Sequence, residues 1–142
     1  MIDFNKLGGG DRFDTATSPR EIFVSLPHKK ESKFEYPRDV QSQVWGKWHQ
    51  RRDNKDIVIK MNTGSGKTIV GLVILKSCLN ERKGPAVYVV HDNYLVKQVS
   101  SEARDIGIEI TEDHQSPRFL SGKAILIINI QKLVNTPFPV KE

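Results

Sequence analysis

Apolar residues in this 142-residue chain fall into clusters of two kinds. One kind is a short continuous run. Ile57-Val58-Ile59 lies within residues 56–60, Ala86-Val87-Tyr88-Val89-Val90 follows, and Ala124 to Ile130 closes the series. Runs of this length without alternation suit strands covered on both faces, as in a parallel sheet. The other kind repeats at helical spacing. Val40, Val44, Trp45 and Trp48 make one stripe. The apolar stretch 69–75 predicts a second helix, and Tyr94, Leu95, Val96, Val99 and Ala103 predict the inner face of a third. Strands alternating with helices imply an α/β domain with a mostly parallel sheet.

Punctuation between the clusters places the ends. Ser18-Pro19-Arg20-Glu21 reads as a helix start, with Ser18 as cap, Pro19 in the first turn and Glu21 at capping-box spacing. Phe23, Val24 and Leu26 give that helix a short apolar face, and Pro27 ends it. The Val40–Trp48 stripe opens at Tyr36-Pro37. The helix over 69–75 runs to Leu79 or Glu81 before Lys83-Gly84-Pro85 stops it, and Gly107 ends the next. Ile108 to Thr111 forms a short strand, 112–119 a polar loop, and 131–135 a helical start broken by Thr136-Pro137. Residues 1–17, interrupted by Gly8-Gly9-Gly10, read as weakly ordered, and 28–33 as a basic connector. The domain is expected over 18–142.

Composition changes this picture little. A hydrophobic fraction of 37% and a charged fraction of 27% fit one globular domain. The net charge of +5 permits an acidic partner without requiring one. The single cysteine, Cys78, excludes an internal disulfide, and its apolar helix points to packing rather than reactivity. No apolar run approaches the ~18–20 residues of a membrane span. The N-terminus lacks a signal-peptide layout, so a cytoplasmic protein with no membrane partner is expected.

The chemistry concentrates between the first run and the second helix, in Met61-Asn62-Thr63-Gly64-Ser65-Gly66-Lys67-Thr68. Strand, glycine-rich loop and helix in that order form the context in which this pattern binds phosphate. Gly64 and Gly66 let successive N–H groups turn inward, and the helix start adds its own unpaired donors. Lys67 supplies charge for the β- and γ-phosphates, and the Thr68 hydroxyl is a ligand for Mg²⁺. Asn62, Thr63 and Ser65 complete the cradle. The opening position, commonly glycine, is Met61, whose side chain can point away. The plain alternative is a glycine-rich turn with Lys67 and Thr68 as ordinary helix residues.

Three flanking segments carry a resemblance. Tyr36-Pro37-Arg38-Asp39-Val40-Gln41 precedes the loop, His91-Asp92-Asn93-Tyr94-Leu95-Val96-Lys97-Gln98 follows the second run, and Ile127-Ile128-Asn129-Ile130-Gln131 ends the third. In order and spacing they are similar to landmarks of superfamily two helicases of the DEAD/DEAH-box-like kind, including relatives of type III restriction-enzyme subunits. The resemblance covers about residues 19–135. It implies a RecA-like, three-layer phosphate-loop NTPase lobe that uses ATP and Mg²⁺ and acts on nucleic acid, DNA ahead of RNA. Gln41, with Gln43 as rival, would read the adenine edge. Asp92, Asn93, Gln98 and Asn129, with Gln131 beside them, would face the nucleic acid; His91-Asp92 stands where the family usually has Pro-Thr. Lys67 and Thr68 would carry the catalytic contacts.

The family's Asp-Glu box does not appear; Glu112-Asp113 lacks the apolar strand that should precede it. The second lobe with its arginine finger is also missing. The expectation is therefore an N-terminal piece of a longer helicase that binds ATP but hydrolyses it slowly or not at all, with an exposed sheet edge that limits solubility. Two other classes stay open. One is a non-catalytic nucleotide- or nucleic-acid-binding module using Lys29-Lys30 with Lys33 and Arg51-Arg52 with Lys55. The other is a different phosphate-loop ATPase or small kinase.

Overall fold

The computed structural model describes residues 15–27 and 37–137. In chain order the elements are α1 (Pro19–Ser25), α2 (Asp39–Gln50), α3 (Lys67–Asn80), β1 (Val87–Val90), α4 (Asn93–Ile106), β2 (Ile110–Thr111), α5 (Pro117–Leu120), β3 (Ile125–Asn129) and α6 (Ile130–Asn135). The three strands form one parallel sheet in the order β1-β3-β2, with Val87 opposite Leu126, Val90 opposite Asn129 and Ile110 opposite Ile125. The last strand in sequence is thus the central one. That agrees with the α/β architecture expected of the sequence.

Side chains alternate across β3, and each face meets its own cover. Ile125 and Ile127 join the main core with Ile22, Phe23, Trp45, Leu72 and Val73 from the first three helices and Val99, Ala103 and Ile106 from α4. Leu126 and Ile128 turn the other way, against Phe119 and the half-buried Val87 and Leu133. This double cover is why residues 125–128 are all apolar rather than alternating. Phe119 is fully buried, and so part of the expected polar loop 112–119 is the short helix α5, folded over the second face.

Two expected faces lose their first residue. On α2, Val40 is 48% exposed, whereas Gln41 is buried; the inward stripe is Gln41, Val44, Trp45 and Trp48. Trp45 stacks near Phe23 with centroids 5.4 Å apart, and its indole N–H donates to the Val70 carbonyl at 3.3 Å. On α4, Tyr94 is exposed, and the inner face is Val96, Val99, Ser100, Ala103 and Ile106. Asp92 caps the start of α4 and Gly107 its end, where Ile108 N–H reaches the Ala103 carbonyl at 2.9 Å. Ser18 does occupy the cap position of α1 with Pro19 behind it, but its hydroxyl makes no cap hydrogen bond.

The expected 1–17 segment is described only from Thr15. There it is tied down: Ser77 donates to the Thr17 carbonyl and Asn80 to that of Ala16. The 28–33 connector lies outside the described residues.

The main correction concerns residues 56–60, which pair with no strand among the described residues. Val58 is 94% exposed, and Ile59 is also exposed. β1 pairs with β3 on one side, and its other edge is unpaired among the described residues; the apolar segment lies beside that edge without joining it. Trp48, Ile57, Ile59, Ile74 and Leu75 instead line a groove along β1. Among the described residues no helix is long and apolar enough to cross a membrane.

Candidate functional site

The loop before α3 is built around two left-handed glycines, Gly64 at φ 79° and Gly66 at φ 83°. Gly66 is the N-cap of α3, Lys67 and Thr68 are its first two residues, and the Val70 N–H closes the first turn on the Gly66 carbonyl at 3.1 Å. Upstream, Ser65 N–H donates to the Asn62 carbonyl at 3.2 Å, and the Ser65 hydroxyl shares that acceptor. Met61 packs against the main core, so the residue at the unusual opening position does point away from the cradle. Asn62, Thr63 and Gly64 are exposed, Ser65 and Gly66 half-buried, and Lys67 exposed. Among the described residues no carboxylate is recorded as an ion-pair partner of Lys67.

The start of α2 braces this loop from behind. The Arg38 guanidinium donates to the Gly64 carbonyl. Gln41 accepts from Arg38 N–H at 2.9 Å and donates its amide to the Gly66 carbonyl at 3.3 Å. A Cβ at Gly66 would lie 2.2 Å from Gln41 Nε2. Gly66 is therefore required twice, by its backbone angle and by the amide lying against it. Gln41 is only 4% exposed, and its polar group is already engaged at both ends. An amide still keeps one further N–H and one further lone pair, the pairing an adenine edge needs. Gln43 is exposed on α2.

Thr68 is half-buried in the first turn of α3. Burial pushes the phenol of Tyr88, on β1, above its ordinary value, and the Thr68 hydroxyl acts in the opposite sense. Among the described residues no group of three His, Cys, Asp or Glu side chains is placed to hold a metal ion. The residues present fit a nucleotide's phosphates: two inward-turning glycines, a helix start and a lysine. For Mg²⁺ they offer the Thr68 hydroxyl alone.

A second group of polar residues gathers where β1 and β3 end side by side. Asn129 donates its amide to Asn93 Oδ1 at 2.6 Å while its own carbonyl caps α6 through Lys132 N–H at 2.8 Å. Asp92 Oδ1 accepts from Leu95 N–H at 2.9 Å. One donor of the α4 start is therefore already occupied by its own cap. Gln98 is exposed further along α4, and Gln131 is exposed on α6. Asp92, Asn93 and Asn129 are thus brought together, and Gln98 stands apart from them. Of the basic stretches, Arg52 is held by Glu81 at 3.0 Å and by the His49 carbonyl at 2.7 Å, while Arg51 and Lys55 are exposed. Lys29, Lys30 and Lys33 lie outside the described residues.

Arg38 and Tyr88 escaped the sequence reading. Arg38 sits three residues before Gln41, a spacing that could have signalled a shared helix start. Tyr88 lies in an apolar run and looked like core.

A parallel α/β sheet with this loop running into the helix beside it defines a phosphate-loop NTPase domain. The family model for the type III restriction enzyme res subunit matches residues 35–137. The chain belongs to that family, which agrees with the superfamily two helicase resemblance of its motifs. A search of curated proteins and a search of solved structures each return no match.

Proposed function

We propose that the chain binds ATP with Mg²⁺ as the nucleotide-binding part of an ATP-dependent helicase or translocase that acts on nucleic acid, DNA ahead of RNA. The observation that carries this reading is the pair of left-handed glycines at the start of α3, with Lys67 and Thr68 immediately after them. The Gly64–Thr68 amides and Lys67 hold the phosphates, Thr68 offers its hydroxyl to the cation, and Asn62, Thr63 and Ser65 shape the loop around them. The spare amide capacity of Gln41 selects adenine. Asn93 and Asn129, with Asp92, form the edge nearest the nucleic acid, and Gln98 extends it. Hydrolysis by these residues alone is slow, because an arginine finger of the kind the family's second lobe supplies contributes ~10³–10⁵ in rate.

Calorimetry of Mg²⁺-ATP binding to the chain, with Lys67→Ala alongside, tests the reading. Loss of a charged hydrogen bond to phosphate is worth about 1.5–3 kcal/mol, so affinity should fall roughly tenfold to a hundredfold. Equal binding by both proteins, or none by a folded wild-type chain, would refute it.

A further inference from the structure

Asn129 ends β3 opposite Val90 of β1, and its side chain bonds in two directions at once. Its Oδ1 accepts from Lys132 N–H at 2.8 Å and so caps α6. Its Nδ2 donates at 2.6 Å to Oδ1 of Asn93, the first residue of α4. One side chain thus joins the starts of the two helices that leave β1 and β3.

The order of these bonds fixes which way each amide faces. A backbone N–H can only donate, so the Asn129 atom against Lys132 is the carbonyl oxygen. The Asn129 nitrogen then faces Asn93, and the Asn93 atom that meets it must be an acceptor. That leaves the Asn93 nitrogen, with its two N–H groups, on the far side. Asn93 is exposed, and among the described residues no acceptor is recorded for that nitrogen. An unrestrained asparagine offers a donor and an acceptor; Asn93 offers donors alone. Such a group suits a partner that carries only acceptors. Phosphodiester oxygens are of that kind and recur at every nucleotide of a strand. The neighbouring Asp92 carboxylate caps α4 through Leu95 N–H at 2.9 Å, so its charge is set against the positive end of that helix.

We propose that Asn129 is a positioning residue for the nucleic-acid contact: fixed on Lys132, it holds Asn93 with its donors outward, toward a phosphodiester. The proposal rests on the nucleic-acid reading above.

The test is a double-mutant cycle on the binding of labelled oligothymidylate and oligodeoxycytidylate, with wild type, Asn93→Ala, Asn129→Asp and the double variant. Aspartate caps a helix as well as asparagine does, so α6 keeps its cap. It has no N–H, so it draws the Asn93 nitrogen inward and turns the Asn93 oxygen out. Asn93→Ala should weaken binding about three- to tenfold, the worth of one hydrogen bond. Asn129→Asp should cost that factor on top of the effect of its charge, and in the Asn93→Ala background only the charge effect should remain. The coupling should be the same on both oligonucleotides. A second measurement needs no nucleic acid. In ¹⁵N-labelled protein, one side-chain amide proton of Asn93 should move downfield and exchange more slowly in Asn129→Asp than in wild type. Equal losses from Asn129→Asp in both backgrounds, a coupling that depends on the base, or unchanged Asn93 protons would overturn the role while leaving nucleic-acid binding intact. Failure of the folded wild-type chain to bind either oligonucleotide would instead refute the nucleic-acid reading, and this role with it.

Discussion

Replacing Gly66 by alanine should damage the chain through two separable causes. The first is conformational. An alanine held at φ 83° costs about 1–2 kcal/mol, because its Cβ crowds the neighbouring carbonyl. The second is a collision. The new Cβ would lie 2.2 Å from Gln41 Nε2 and 3.2 Å from its Cδ, so the buried amide must leave. Its bonds to Arg38 N–H at 2.9 Å and to the Gly66 carbonyl at 3.3 Å are then lost. At ~1 kcal/mol each these add about 2 kcal/mol. The total, about 3–4 kcal/mol, is a large share of the ~5–15 kcal/mol typical of a domain. Urea unfolding followed by circular dichroism would measure it. In a Gln41→Ala background the collision has already been removed, and Gly66→Ala should cost only the conformational part. The two substitutions should therefore couple by about 2 kcal/mol in a double-mutant cycle. Equal costs of Gly66→Ala in both backgrounds would refute the claim that Gln41 braces the loop. A total below about 1 kcal/mol would refute the strained-glycine argument as well.

Other consequences can be measured on the same material. Glu81 lies 3.0 Å from both Arg52 and Lys83, and the hydrogen bond from Lys83, ahead of the other contributions, holds its carboxyl below the ordinary carboxylate range. The stability this adds is present above the ordinary carboxylate value and disappears as pH falls through the depressed one. Glu81→Gln should thus cost up to about 1 kcal/mol near neutrality and nothing in strong acid, and melting curves with a pH-independent difference would contradict this. Phe119→Ala should cost about 3–5 kcal/mol by emptying the second face of β3, and a loss under 1 kcal/mol would show that α5 does not seal it. Burial raises the Cys78 thiol above its usual value, so alkylation of the native chain at neutral pH should be much slower than in urea; equal rates would show an open thiol.

How much of this was legible in the sequence depends on whether a residue answers to its own segment or to a distant one. Gly107, Lys83-Gly84-Pro85 and the run at 125–128 declare themselves locally, and the structure follows them. The phosphate loop is of the same kind, since Gly64, Gly66, Lys67 and Thr68 carry their geometry in their own residue types. Misreadings occurred where hydropathy alone decided. Hydropathy puts Val40 on the inward stripe, yet it is Gln41 beside it that turns in, to the backbone groups at the Arg38–Gly66 junction. Tyr94 looks like core because it is aromatic, but in the first turn of α4 it is exposed. Phe119 was hidden in a polar stretch because its partners, Leu126 and Ile128, are contributed by a later strand. Residues 56–60 have the composition of a strand, but whether such a segment joins the free edge of β1 or only lies along it is not written in the segment itself.

The one-sided pairing of β1 carries a consequence for its backbone. A residue in a strand sends its N–H and C=O toward the same neighbour, and successive residues alternate. The Ala86 carbonyl accepts from Leu126 N–H at 3.0 Å, so residues 86, 88 and 90 address β3, and Val87 and Val89 address the groove. Hydrogen exchange along β1 therefore has a period of two: protected at Tyr88 and Val90, rapid at Val87 and Val89. Any strand that later occupies the groove, whatever its source, has to take those two amides as its first donors. Their slowing on its arrival would report the docking residue by residue, while the amides on the β3 side stay as they were.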